Sequence, residues 1–245
     1  MQCRKALIHV TLSASPTLSR SDPDATLKLT LTLSLAPNSP GVEVGRPLTF
    51  ATHHSICDVT EPGYERGIDI FARGGFGFLR STSGDKAKNI SLGLFRTNDR
   101  FRSQSDDLRE RGLEFVTIPA ATVPHSQAVA TVTHTLNWDR IFQRADASQR
   151  HTRESLVPGE EFEIGINKGY MGTVWWCWGD LETDLRDKRF HVWQESNFGI
   201  DNSDERPGEE FVEQGNWVLG EDPLLLEWVN TTQGENQKVR IRIVE

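Results

Sequence analysis

Residues 156–180, LVPGEEFEIGINKGYMGTVWWCWGD, carry the clearest fold signal in the chain. Pro158-Gly159-Glu160 predicts a turn, and apolar residues then occupy every second position, at Phe162, Ile164 and Ile166. Because successive side chains of a strand point to opposite faces, this alternation predicts one buried and one wet face. Asn167-Lys168-Gly169 predicts a second turn, which leads into a very apolar strand at 174–178.

The second strand is rich in tryptophan. Trp176 and Trp178 share one face of it, whereas Trp175 lies on the other face with Cys177. One face must be core, since a buried tryptophan commonly fills the centre of a β-sandwich. The other face is either a binding surface or covered by the C-terminal segment. Coverage is favoured because that segment carries apolar residues that must themselves be buried, namely Trp217, Leu219, Leu224 and Trp228.

Strand patterns recur along the rest of the chain. The cleanest one alternates leucine with polar residues over 27–35, and a Pro/Gly-rich stretch ends it. Further strands are predicted around 8–12, 47–58, 67–72, 76–80, 90–95, 113–118, 128–138, 190–193, 224–229 and 239–244. Long polar loops are predicted at 97–112, 143–155 and 195–222, the last with an apolar island at 217–219. Many short strands separated by turns are typical of an all-β sandwich or barrel.

Bulk properties limit the classes of function. A chain of 245 residues can bury a full core, as one large all-β domain or two small ones. The net charge of −8 argues against general nucleic-acid binding, because phosphate binding needs a basic surface. No segment approaches the roughly 18 apolar residues of a membrane span. Three widely spaced cysteines favour a reducing compartment, so a cytoplasmic location is expected.

Two motifs resemble intracellular immunoglobulin-type sandwiches. They are FVTIPA at 115–120 and LVPGEEFEI at 156–164, whose Leu-x-Pro-Gly-Glu precedes the penultimate strand of many such domains. The whole chain also resembles β-sandwich proteins of filamentous fungi whose activity is not established. The resemblance covers about residues 25–193 and implies a fold rather than an activity. It implies one elaborated immunoglobulin-like antiparallel β-sandwich over 1–245, with a core at 1–194 and an acidic extension with closing strands at 195–245.

The sequence HHSICD at 53–58 is a candidate metal cluster. On a strand, His53 and Cys57 would share a face but lie too far apart to chelate one ion without a bend. A site would therefore need His134 or His191 from elsewhere. The favoured interpretation is a strand with one satisfied histidine and one buried cysteine, and neither a metal nor a cofactor is expected. A blue-copper site is disfavoured because Cys177 is not closely followed by histidine and methionine.

Catalytic motifs are weak. Cys57 and Cys177 lie in apolar strand contexts, where thiols are usually inert, and no Gly-x-Ser-x-Gly is present. RGGFG at 73–77 predicts a hairpin turn rather than a phosphate loop. The carboxylates Asp180, Glu182, Asp184 and Asp187 suit cation binding or acid–base work. Interspersed basic residues favour a solvated, self-paired loop instead.

The sequence thus predicts a non-catalytic binding or protein-interaction module. Its loops or an aromatic outer face would bind a protein or small-molecule ligand, and neither nucleic acid nor a membrane is expected as a partner. The candidate ligand-binding residues are Trp175, Trp178, Asp180, Trp193 and His54. One alternative is an enzyme, a cyclase, isomerase or hydrolase, with an aromatic-lined pocket that lacks a sequence motif. Another is a protease inhibitor that presents loop 97–112 or 144–155.

Overall fold

The computed structural model describes residues 5–36, 45–59, 70–82, 88–92, 105–120, 128–142, 151–191 and 216–245. Within these ranges strands dominate, and the two α-helices are only four and five residues long. The predicted all-β class is confirmed. None of the helices in these ranges is long and apolar enough to cross a membrane.

The strands are numbered in chain order. They are β1 (Ala6–Ala14), β2 (Thr17–Ser19), β3 (Thr26–Leu35), β4 (Leu48–Ala51), β5 (Leu79–Ser81), β6 (Asn89–Ile90), β7 (Phe115–Ile118), β8 (Ala130–Asn137), β9 (Glu161–Gly165), β10 (Trp176–Trp178), β11 (Arg189–His191), β12 (Trp217–Leu219), β13 (Leu226–Asn230) and β14 (Lys238–Val244). The helices are α1 (Ile70–Arg73) and α2 (Trp138–Phe142). Single 3-10 turns occupy Arg153–Ser155, Lys168–Tyr170, Pro223–Leu225 and Glu235–Gln237.

Strands β13, β1, β3 and β8 form a four-stranded sheet in that order. β3 runs antiparallel to both of its neighbours, whereas β13 runs parallel to β1. The predicted alternation in β3 is confirmed, because its leucines are buried on one face while Lys28, Thr30 and Thr32 lie on the other. β8 follows the same rule, with four buried residues at Ala130, Val132, His134 and Leu136. The sheet therefore has an apolar inner face and a polar outer face.

A five-stranded sheet has the order β2-β14-β9-β5-β6. β14 lies inside this sheet, antiparallel to β9 and parallel to β2. Phe162 of β9 stands opposite Ile241 of β14, and both are buried. These two residues share one hydrophobic cluster with Leu31 of β3, so both large sheets contribute to the same core.

Two smaller sheets lie beside this core. One has the order β10-β4-β7, and the other joins β11 and β12 in parallel. Trp176 and Phe50 of the first sheet belong to the main core, whereas Trp175 and Phe190 belong to a second hydrophobic cluster. The chain thus packs apolar residues on both sides of the tryptophan-rich segment.

The Pro-Gly-Glu turn before β9 is anchored by its own residues. Gly159 has φ +88°, which favours glycine, and its amide donates to the Ile243 carbonyl at 2.8 Å. The buried Glu160 carboxylate accepts hydrogen bonds from Lys88 at 2.8 Å and from the Ser81 hydroxyl at 3.1 Å. The turn is therefore held to β14 by a backbone hydrogen bond and to the region of β5 and β6 by an ion pair.

The strand predicted over 47–58 is wrong beyond Ala51. β4 ends there, and residues 52–58 form consecutive turns in which His54 takes φ +62°. The Ser55 hydroxyl donates to the Thr52 carbonyl at 2.7 Å and accepts from the Cys57 amide at 3.1 Å. Such local side-chain bonds to the backbone compete with the strand ladder.

The strand predicted over 67–72 and the hairpin at Arg73-Gly74-Gly75 are also wrong in the described part. Residues 70–73 form α1, which ends in a glycine cap. Gly74 has φ +91° and donates to the Phe71 carbonyl, while Gly75 donates to the Ile70 carbonyl. This pair of hydrogen bonds is a Schellman motif, which ends a helix rather than joining two strands.

Candidate functional site

The tryptophans of residues 175–178 divide between the two hydrophobic clusters, as strand alternation predicts. Trp176 belongs to the main core and Trp178 packs against it. Trp175 and Cys177 belong to the second cluster. Both faces of this segment are therefore used in packing.

Trp175 is fully buried. Its indole stacks on Phe190 at a centroid distance of 4.5 Å, and its Nε1 donates to the His191 carbonyl at 2.8 Å. Residues 216–222 cover it further, since a Cβ added to Gly220 would lie 2.4 Å from a carbon of the indole ring. The predicted coverage of this tryptophan face by C-terminal residues is confirmed, but Leu224, which was predicted to be buried with them, is 75% exposed. Trp175 offers no open face to a ligand.

Trp178 remains partly exposed and makes an edge contact with Trp176 at 5.8 Å between ring centroids. The neighbouring indole of Trp176 is fixed by a 3.1 Å hydrogen bond from its Nε1 to the Asp222 carbonyl. Trp193, the third tryptophan among the predicted ligand-binding residues, lies outside the described residues. The residues of the aromatic surface that the structure describes are therefore mainly part of the packing.

The tight approach of Gly220 to Trp175 gives a testable consequence. Gly220→Ala places a methyl group against the indole, and we expect the free energy of unfolding to fall by about 1–3 kcal/mol, as for an overpacked core. Urea unfolding followed by circular dichroism measures the change. Gly172→Ala is the matched control, because nothing lies within 4 Å of its added Cβ. Equal effects of the two variants would contradict this packing.

His54 lies in the turn after β4, beside His53 and Asp58. The two imidazole rings stack at 3.7 Å between centroids, and the Asp58 carboxylate lies 3.9 Å from His53 Nδ1. His134, which the sequence offered as an additional metal ligand, contacts the Ile56 carbonyl through Nε2 at 2.7 Å. Within the described ranges, no group of three or more His, Cys, Asp or Glu residues is placed to hold a metal ion.

Both cysteines in the described part are buried free thiols. Burial raises the pKa of the Cys57 thiol far above its ordinary value. Burial, with a smaller effect of the Glu221 carboxylate, raises the pKa of Cys177 to about 12. Because the thiolate is the reactive form, these thiols are protonated and poor nucleophiles at neutral pH.

The raised thiol pKa values predict a loss of stability in alkali. Above the ordinary thiol pKa of 9.0, the unfolded chain releases thiol protons that the folded chain keeps. The free energy of unfolding therefore falls as pH rises from about 9 towards 12, by about 1.4 kcal/mol per pH unit for each thiol. Cys177→Ala should make this decline shallower in urea titrations. An unchanged slope in that variant would contradict the assignment.

Asp180 shapes its own loop. Its Oδ1 accepts hydrogen bonds from the amides of Glu182 and Thr183 at 2.8 and 3.1 Å. Its own amide donates to Asp184 Oδ2 at 2.9 Å. These are local turn contacts, so the carboxylates of Asp180 and Asp184 are engaged in holding the loop.

The outer face of the four-stranded sheet is rich in hydroxyl groups. It carries Thr11, Ser13, Thr30, Thr32, Ser34, Thr131, Thr133 and Thr135, which follow from the register of β1, β3 and β8. Thr30 and Thr133 approach to 3.1 Å between their Oγ1 atoms. We call this surface the hydroxyl face. It reaches uninterrupted from β1 to the edge strand β8.

The backbone of β3 determines which groups of β8 face outward. The Lys28 carbonyl accepts a hydrogen bond from the Ser15 amide at 2.9 Å, and the Thr30 carbonyl accepts one from the Ser13 hydroxyl at 3.3 Å, both on the β1 side. Backbone groups of successive residues in an antiparallel strand point to opposite sides. The intervening leucines of β3 therefore bond to β8.

Those leucines stand opposite Ala130, Val132, His134 and Leu136 of β8. The backbone N–H and C=O groups of the residues between them, Thr131, Thr133 and Thr135, consequently point away from the sheet. In the described part of the chain, no strand pairs with this outer side of β8. Three alternate residues of β8 thus present main-chain donors and acceptors along this edge.

The edge of β8 also differs from the other sheet edges in length and chemistry. It is eight residues long, whereas every other edge strand in the described ranges has five residues or fewer. Its sequence, ATVTHTLN, contains no Lys, Arg, Asp, Glu, Pro or Gly. Charges and prolines are the usual means by which proteins keep edge strands from pairing. The sequence of β8 therefore contains none of the residues that usually prevent an edge strand from pairing.

A polar groove of about 910 Å³ borders the opposite end of the hydroxyl face. Its walls include His9 and Ser34 on one side and Lys238 and Arg240 on the other. Both cations already lie near Glu163, at 3.7 and 3.1 Å. The groove therefore has a largely compensated charge.

Neither a family model, nor a curated protein, nor a solved structure matches this chain. Among the hydroxyl face, the polar groove and the edge of β8, the edge is the one where backbone N–H and C=O groups have no strand partner among the described residues and could pair with an extended chain.

Proposed function

We propose that the chain is a non-catalytic protein-interaction module that binds an extended strand of its partner along the edge of β8. The observation that carries this proposal is the row of outward backbone groups at Thr131, Thr133 and Thr135, on a strand without charge or proline. In strand addition, main-chain hydrogen bonds supply affinity, and alternate side chains supply specificity.

The side chains of β8 suit this role. Threonine is β-branched and favours strands, and its cross-strand pairs contribute roughly 0.2–1 kcal/mol each. The exposed Thr131, Thr133 and Thr135 extend the hydroxyl face up to the place where an added strand would lie. The reactive groups considered for catalysis are used by the fold, since Cys177 is a buried protonated thiol and Asp180 holds its own loop.

An immunoglobulin-like sandwich is part of the same proposal. The order β1-β3-β8 is that of strands A, B and E, and β14-β9-β5 is that of strands G, F and C, whereas no described strand takes the place of strand D beside β8. β4, β7 and β10–β12 are then additions beside the two main sheets. The resemblance to fungal β-sandwich proteins belongs to this proposal, as does a cytoplasmic location, which the buried free thiols of Cys57 and Cys177 support.

Site-specific photo-cross-linking tests the proposed surface. A benzophenone amino acid replaces Thr133 on the edge, or Thr32 as a control one strand further in on the same face. The labelled chain is irradiated alone and with an extract of its source cells, and adducts are mapped by mass spectrometry. We expect adducts from position 133 that map to one extended segment, and none from position 32.

A second variant tests whether these adducts depend on backbone hydrogen bonds of β8. Thr131→Pro removes an outward N–H and leaves the ladder between β8 and β3 intact, so it should abolish the adducts. Equal adducts from both labelled positions, or adducts that persist in the proline variant, would contradict binding along this edge.

A further inference from the structure

We infer that the partner strand is β8 of a second copy of this chain, paired antiparallel about a two-fold axis at Thr133. The inference rests on the proposed function, because it names the partner that the open edge binds. It would join two four-stranded sheets into one continuous sheet of eight strands.

The register of outward groups fits such a pair. With the axis at Thr133, Thr131 stands opposite Thr135 of the partner subunit, and Thr133 stands opposite its own copy. All of these residues direct N–H and C=O away from their own sheet. Each pair can therefore exchange two hydrogen bonds, as the hydrogen-bonded residue pairs of an antiparallel ladder do.

The side chains are self-complementary as well. The pattern Thr-x-Thr-x-Thr at 131–135 gives the same outer surface in either chain direction, which a two-fold contact between identical surfaces requires. On the inner face, Val132 stands opposite His134 of the partner subunit. No Lys, Arg, Asp or Glu lies on β8, so no like charges oppose each other.

The other edge strand of the same sheet, β13, differs from β8 because it carries a charge. At the other end of the same sheet, the edge strand β13 has Glu227 exposed at its second position. Antiparallel pairing of two β13 edges about Glu227 would set these carboxylates opposite each other. This contrast favours β8 over β13 as the contact between copies.

Charge exchange at the predicted register tests the inference. Sedimentation velocity should find a dimer of the unmodified chain. Thr131→Lys/Thr135→Lys sets two pairs of like charges opposite each other and should weaken the dimer by about tenfold or more. Thr131→Glu/Thr135→Glu should do the same. An equimolar mixture of the two variants should restore the dimer, because each lysine then meets a glutamate.

The matched control is Thr30→Lys/Thr32→Lys, which adds the same charge to the same face on the inner strand β3 and should leave the dimer unchanged. A monomeric unmodified chain would overturn the inference. So would a dimer that tolerates both charged variants or is not restored by mixing. If the chain is monomeric but cross-links from position 133 map to another protein, the proposed function stands. If the chain is monomeric and position 133 gives no cross-links, both proposals are overturned.

Discussion

Trp175→Ala is expected to lower the free energy of unfolding by about 3–5 kcal/mol, as for other large buried aromatic residues. The indole is fully buried, stacks on Phe190 and meets Phe115 edge-on at 5.4 Å between centroids. Alanine would leave a cavity between β7, β11 and residues 216–222. Most natural domains are stable by only about 5–15 kcal/mol, so this is a large fraction of the total.

Urea unfolding followed by far-ultraviolet circular dichroism measures this loss without depending on tryptophan emission. Trp175→Phe keeps an aromatic ring but removes the Nε1 donor to the His191 carbonyl, which still accepts from the Gly220 amide, so most of the stacking is retained. We expect that variant to lose about 1–3 kcal/mol. A loss below about 1 kcal/mol for Trp175→Ala would show that the second hydrophobic cluster is not built on this ring.

Glu160→Ala is expected to lower the free energy of unfolding by about 3 kcal/mol. The change removes the carboxylate that receives Lys88, Ser81 and the Val157 amide, and it leaves a mostly buried ammonium without that carboxylate. The value lies at the low end for a broken buried pair, because 21% of the Lys88 side chain is exposed.

A double-mutant cycle with Lys88→Met measures the coupling between the two charges, and the double variant should recover part of the loss. Glu235→Ala is the matched surface control. Its partner Arg240 lies at 3.3 Å, but both side chains are mostly exposed, so we expect a loss of about 0–1 kcal/mol. Equal losses for Glu160→Ala and Glu235→Ala would contradict a structural role for the Pro-Gly-Glu turn.

The alternation of apolar and polar residues predicted those strands that have one buried and one exposed face. The alternating leucines of β3 and the alternating residues of β9 report burial directly, because each side chain's face follows from its position. The same rule correctly separated Trp175 from Trp176.

The failures occurred where hydrogen bonds override the local pattern. Residues 52–58 alternate like a strand, yet the Ser55 hydroxyl bonds to the backbone on both sides and closes a turn. Residues 70–75 were too few to separate a helix from a strand, and Gly74 proved to be a helix cap. β12 was hidden in an acidic segment because its pairing with β11 is long-range.

The candidate site depends on topology more than on motifs. The strand β8 was predictable, but its place at the edge follows from which strands pair, and a local pattern does not contain that information. The only sequence signal was the absence of charge and proline from ATVTHTLN. Attention to the tryptophans led instead to residues that the fold uses for packing.

Hydrogen exchange of the β8 amides, resolved by residue with NMR, tests the open edge most directly. In dilute protein the amides of Thr131, Thr133 and Thr135 should exchange rapidly, whereas those of Val132 and His134 should be protected by β3. Raising the protein concentration should protect the three threonine amides as a second strand pairs with them. Slow exchange of these three amides already in dilute protein would show that one chain closes its own edge, and would contradict the account.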